Sequence, residues 1–143
     1  PMKTQQLLPE VLEMDMRKWF KEAQYGMMAL GLYSLLGGEW NGKKSSSYAE
    51  WIQANQRIPM AEYDKLATAF NPVYFNADQW IRLAKECGMK YFVMTSKHHD
   101  GFALFHSRAD RFNVVEASFG RDVVGELAEA CYKHGLKFCL YYS

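Results

Sequence analysis

Residues 76–95 read NADQWIRLAKECGMKYFVMT and residues 122–142 read DVVGELAEACYKHGLKFCLYY, and the two stretches share one plan. The first opens on Asn76, whose side-chain oxygen can accept from the exposed amides of a helix's first turn, and the second runs from about Asp122 to His134. Each then shows helical spacing: Trp80, Leu83 and Ala84 fall on one face of the first, and Val123, Leu127 and Cys131 recur every four residues in the second. Glycine stops both helices, at Gly88 and Gly135, because the left-handed turn that ends a helix suits a residue without Cβ. A short apolar run follows each stop, KYFVMT at 90–95 and LKFCLYY at 136–142, and reads as a buried strand. Helix–strand units in series predict parallel strands joined by right-handed helical crossovers.

Working outward, residues 17–24 (RKWFKEAQ) predict a short helix, and the nearly uncharged run 25–33 (YGMMALGLY) predicts the first strand. Residues 37–47 (GGEWNGKKSSS) lose apolar spacing and read as a surface loop, with Lys43 and Lys44 solvated. Short helical pieces are expected at 48–56 and 59–69, then a break at Asn71-Pro72. The stretch 96–120 is a long loop. The order is strand, helices, strand, helix, strand: an α/β chain with about three parallel strands, and no internal repeat.

The chain has 143 residues, 49% hydrophobic and 15% aromatic, enough apolar material for one compact domain over 1–143. Seventeen Lys and Arg against sixteen Asp and Glu give a net charge of +1, which provides no electrostatic footprint for nucleic acid. No stretch approaches the roughly 20 apolar residues a membrane-spanning helix needs. The opening PMKTQQLLPEVLEMD lacks a signal peptide's basic start and apolar middle, so a soluble, cytoplasmic protein is expected. The odd set Cys87, Cys131 and Cys139 reads as buried free thiols in a reducing compartment.

Ligands in parallel α/β folds bind where the loops leaving the carboxyl ends of the strands converge. That rule selects Glu39, Trp40, Tyr48, Glu50 and Trp51 after the first strand, Lys97 to Phe102 after the second, and Tyr141-Tyr142 at the end of the third. A histidine pair beside a carboxylate and near tryptophans suits a sugar, since imidazole and carboxylate hydrogen-bond hydroxyls while indole covers the apolar face of a pyranose. The residues alone fit a second reading equally: one imidazole buried as a structural hydrogen-bonder and the other solvated, Glu50 a solvated carboxylate at a helix start and Trp51 part of the core. Adjacent histidines on a loop do not have metal-ligand spacing, so no metal is expected. Met27 and Met28 read as core filling. His106 and His134 have no evident partner, and His134 at a helix C-terminus needs no role beyond its favourable placement on the dipole.

The runs TSKHHDGFALFHS, FNVVEASFGRDVVGELAEAC and HGLKFCLYYS resemble the N-terminal barrel region of the α-L-fucosidases, glycoside hydrolase family 29. WFKEAQYG, GLYS, YAEW and FNADQWIRLAKECGMKY extend the resemblance over roughly residues 18–143. It implies part of a (β/α)8 TIM-type barrel and places the family's fucose contacts on Glu50, Trp51, His98, His99 and Tyr141. The implied reaction is hydrolysis of α-L-fucosides with retention, by a nucleophilic carboxylate and a carboxyl acid/base, without a cofactor.

Two departures bear on activity. Where the family's first strand ends Ile-His-Trp-Gly, this chain has Met28-Ala29-Leu30-Gly31, one residue shorter and without the sugar-holding histidine, so strand register must be rebuilt there. The family's nucleophile and acid/base lie beyond the position of Ser143, and a closed barrel takes about 200 residues or more. The expectation is a barrel fragment, inactive alone, that binds α-L-fucose or a fucosylated glycan weakly. Its strand edges should pair it with further copies of itself or with a complementary barrel fragment. Glu50 and Asp100 are not expected to substitute as a catalytic pair. A non-catalytic carbohydrate-binding or assembly module is the alternative.

Overall fold

The computed structural model describes residues 16–23, 28–29 and 31–143. Helix α1 (Met16–Ala23) precedes β1 (Met28–Ala29). A 3-10 turn (Leu32–Leu36) leads to a small hairpin of β2 (Glu39–Trp40) and β3 (Lys43–Lys44). A second 3-10 turn (Ala49–Trp51) runs into α2 (Ile52–Asn55), α3 (Met60–Tyr63) and α4 (Lys65–Ala69). The chain then forms α5 (Ala77–Glu86), β4 (Tyr91–Lys97), α6 (Val123–His134) and β5 (Lys137–Tyr142). Strands β1, β4 and β5 make one three-stranded sheet in that order, parallel throughout.

Both helix–strand units form as their spacing and glycine stops foretold, the first from its expected cap. The Asn76 side chain accepts from the Gln79 amide at 2.9 Å and that of Asp122 from the Gly125 amide at 2.8 Å. Gly135 closes α6 in the left-handed conformation, φ 72°. Val123, Leu127 and Cys131 are buried together as their spacing predicts. On α5 the buried face differs from expectation: Ala77, Ile81 and Ala84 point inward, while Trp80 is 39% and Leu83 55% exposed. Small residues let α5 lie close to its neighbours, and the indole of Trp80 packs edge-on against Phe75 instead. His134 gains a partner the sequence hid, its Nε2 lying 2.8 Å from Asp78 Oδ1. Lys133 reaches the same oxygen at 2.6 Å, tying α6 to the start of α5.

The first-strand expectation needs correction. Residues 24–27 and 30 lie outside the described residues, so that part of the proposed run, Met27 and Leu30 included, falls outside them too. Met28 and Ala29 pair in regular parallel register with Val93 and Met94. Leu32 and Tyr33 belong to a 3-10 turn rather than to the strand, because the chain breaks at Gly31 and folds both side chains into the core. The presumed loop 37–47 holds the β2–β3 hairpin, built on Asn41-Gly42, both at positive φ (48° and 75°). That dipeptide favours the turn whose twist suits paired strands. Lys43 and Lys44 are exposed, as expected, but in a strand. Of the cysteines only Cys131 is buried; Cys139 is half-buried and Cys87 exposed.

One core joins these parts. Phe92 and Met94 of β4 pack against Ile81, Ala84, Leu127 and Cys131, and Leu32, Tyr33, Ile52 and Tyr63 close it from the β1–α4 side. The long loop 98–122 is ordered by its own interior. Phe102, Leu104 and Val114 join the core, and buried Asn113 accepts from the Val115 and Glu116 amides while donating to Asp110 O. Among the described residues no buried side-chain nitrogen or oxygen lacks a partner, and no helix is long and apolar enough to cross a membrane. Trp19 and Phe20 of α1 pack on Tyr91, the first residue of β4, at the end of the sheet opposite the loops described next.

Candidate functional site

The carboxyl ends of β4 and β5, and the turns that follow β1, bring four aromatic or imidazole rings into sequence. Trp51 stacks on His99, centroids 4.0 Å apart and planes 28° from parallel. His99 lies 4.7 Å from His98, and His98 lies 5.4 Å from Tyr141. Each comes from a different place in the chain: Trp51 from the second 3-10 turn, the histidines from the turn after β4, Tyr141 from near the end of β5. The strands set this spacing. Thr95 is in register with Tyr141, and a register shift before Lys97 sets that residue against Tyr142, whose ring centroid is 4.5 Å from the Lys97 ammonium. A shift of this kind at a strand end re-aims the side chains beyond it.

His98 is the most constrained member. Its Nδ1 accepts the His99 backbone N–H at 2.9 Å, which leaves the ring proton on Nε2. Burial, and next the neighbouring His99, lower its pKa below the ordinary histidine value against the opposing pull of Glu50 and Asp100. The result is a neutral imidazole that presents Nε2–H as a donor. Half-buried Glu50 acts through its charge on both His98 and Tyr33. Trp51 and Tyr141 remain 43% and 40% exposed, as rings available to a ligand must be.

Two residues that sequence reasoning missed support this row. Tyr33, 4% exposed, meets the His98 ring edge-on, centroids 5.6 Å apart at 90°. Burial first, then the charges of Glu50 and Asp100, raise its pKa, so the phenol stays protonated. Gly31 makes room for the ring: a Cβ there would lie 3.0 Å from Tyr33 Cε1. Tyr63, fully buried, donates its hydroxyl to Asp100 Oδ2 at 2.9 Å. GLYS was visible in the sequence as a motif, but nothing local to Tyr63 announced its partner.

Asp100 itself is enclosed. Only 5% exposed, it accepts from Tyr63 Oη at 2.9 Å and from the Phe102 amide at 3.1 Å, and burial pushes its pKa up against those donors. A carboxylate so occupied serves the loop's architecture and is not available to share a glycosidic oxygen with Glu50. Among the described residues no group of three or more His, Cys, Asp or Glu could hold a metal ion. A separate open cleft of about 520 Å³ between α5 and α6, lined by Phe75, Asp78, Arg121, Glu126 and Lys133 among others, shares no residue with this site.

The family model described as Alpha-L-fucosidase matches residues 3–143. Tissue alpha-L-fucosidase of Rattus norvegicus is 33% identical over 144 residues, 94% of this chain and 31% of its own length. Plasma alpha-L-fucosidase of Homo sapiens is 35% identical over 135 residues, 87% of this chain and 29% of its own. The chain thus spans about a third of the length of these relatives. Among solved structures, alpha-L-fucosidase AlfC from Lactobacillus casei in complex with alpha-L-fucose product superposes with a TM-score of 0.84 at 62% identity, over 88% of this chain and 39% of that one. A GH29 alpha-L-fucosidase from Bacteroides thetaiotaomicron, trapped as a covalent intermediate, gives 0.81 at 38% identity, over 86% of this chain and 28% of that one. With a match that runs nearly end to end and takes in every segment that builds the ring row, the chain belongs to the α-L-fucosidase family.

Proposed function

We propose that these 143 residues form the N-terminal strands of a (β/α)8 barrel and supply the sugar-gripping side of a site that hydrolyses α-L-fucosides with retention. The observation that carries the reading is the continuous row Trp51–His99–His98–Tyr141 at the carboxyl ends of parallel strands. In it the indole of Trp51 covers an apolar sugar face, His98 Nε2–H donates to a hydroxyl, and His99, Glu50 and Tyr141 complete the polar contacts. Retention needs two carboxyl groups about 5 to 5.5 Å apart flanking the scissile bond. Asp100 is enclosed by its donors, so the nucleophile and acid/base come from barrel sequence outside these residues.

On this reading the 143 residues alone bind α-L-fucose or a fucosylated glycan weakly and do not turn over aryl α-L-fucosides. Titration of the ¹⁵N-labelled chain with L-fucose tests the first half. Shifts confined to His98, His99, Trp51, Glu50 and Tyr141 are expected, and shifts elsewhere refute the site. Hydrolysis of 4-nitrophenyl α-L-fucoside by host-free preparations, lost on Glu50→Ala or Asp100→Ala, would refute the second half.

A further inference from the structure

We propose that Tyr63 is a positioning residue for the sugar site, acting through the Asp100 carboxylate to hold the turn that presents His98. The proposal rests on the reading of His98 as a sugar-facing donor and adds the device that aims it. Asp100 follows the histidine pair directly and is 5% exposed. A buried carboxylate must be supplied with donors or it becomes costly. Its donors come from two segments: the Phe102 amide of its own loop and the hydroxyl of Tyr63 on α3, 37 positions away in sequence. Satisfying one carboxylate therefore requires the two segments to meet. Their meeting fixes the turn in which the His99 amide holds His98 Nδ1, with the Tyr33 ring edge-on to the same imidazole.

One of those donors is a backbone amide, which any residue would provide. The other depends on the identity of residue 63. Its ring is also fully buried, so a core-filling role would account for the aromatic body. It would not account for a hydroxyl carried into the interior and aimed at Asp100 Oδ2.

Tyr63→Phe separates the two roles, because it keeps ring and volume and removes the hydroxyl alone. L-fucose affinity of the full chain is read by chemical-shift titration, and the His98 tautomer by long-range ¹H–¹⁵N correlation. The expected result is an affinity about tenfold weaker, as befits loss of a hydrogen bond to a charged group, with His98 passing from one Nε2–H tautomer to an exchanging mixture. Asp100→Asn is expected to do the same, and the double variant to be no worse than either single one. Wild-type affinity and an unchanged His98 pattern in Tyr63→Phe overturn the proposal. Should that variant fail to fold, Asp100→Asn decides by the same two readings. His98→Ala is the control: if it too binds as wild type does, the sugar-site reading has failed rather than this one.

Discussion

The indole of Trp51 lies 4.0 Å from the imidazole of His99 and nearly parallel to it, although the two residues sit on separate loops. Because Trp51 is 43% exposed, the stack is worth little to the fold and much to the shape of the site. Trp51→Ala should leave unfolding within about 1 kcal/mol of wild type, in line with exposed substitutions and with a ring pair worth about 0.5 to 1.5 kcal/mol. It should remove most L-fucose binding. Thermal unfolding and an NMR titration on the same sample check the split; a large loss of stability with intact binding contradicts it.

The depressed pKa of His98 predicts how stability and binding respond to acid. The unfolded chain takes up a proton near the ordinary 6.5, the folded one only below it, so the folded form binds fewer protons between the two values. Stability should therefore rise with pH across that window and level off above 6.5, and it should decline as pH falls below 6.5. Sugar affinity should persist further down, until His98 itself is protonated and Nδ1 can no longer accept the His99 amide. Parallel denaturant and fucose titrations from pH 5 to 8 check this; a His98 ring proton titrating above 6.5 would contradict it.

Asp122 holds two segments at once, accepting from the Gly125 amide of α6 and, at 3.2 Å, from the His106 amide of the loop. Asp122→Ala should cost about 1 to 2 kcal/mol, the upper range for an N-cap, because both donors lose their acceptor. Urea unfolding measures it, and a loss within error would mean that water replaces the carboxylate without penalty.

Strand β5 is an edge of the sheet, and Leu140, Tyr141 and Tyr142 on it are 56%, 40% and 66% exposed. Unpaired strand edges beside apolar side chains recruit further strands, and each apolar side chain covered is worth about 1.5 to 3 kcal/mol. The chain alone should self-associate, or pair with a complementary barrel fragment added in trans. Light scattering at low micromolar concentration decides: a stable, cooperatively unfolding species of 16.6 kDa would show that the edge is tolerated as it stands.

What the sequence disclosed was whatever is coded within a few residues. The cap at Asn76, the stop at Gly135 and the four-residue spacing of α6 all lie within single elements, and the strand-end rule alone brought Trp51, His98, His99 and Tyr141 to one side. What it concealed depends on contacts between elements. The choice between the Trp80–Leu83 and the Ala77–Ile81 faces of α5 turns on how closely the helix can approach its neighbours. The Tyr63–Asp100 bond joins positions with no periodic relation, and Tyr33 read as strand because an apolar run gives no sign that Gly31 will break it. Asn41-Gly42 did carry a hairpin signature, hidden because serine and lysine around it spoke more strongly for an irregular loop.

The pairing of β1 with β4 has a consequence for how the molecule assembles. The run α5, β4, α6, β5 is consecutive, so each partner arrives just after the last and its contacts close over short stretches of chain. Strand β1 reaches β4 only after the two 3-10 turns, the hairpin and three short helices have been gathered between them, and the entropy of closing such a loop grows with its length. Topologies of this sort form local units early and distant pairings late. The sugar-facing geometry straddles that divide: the histidines and Tyr141 belong to the early unit, while Trp51, Tyr33 and Tyr63 arrive with the long excursion. On refolding, secondary structure would return before recognition does, and binding would be the last property the chain regains.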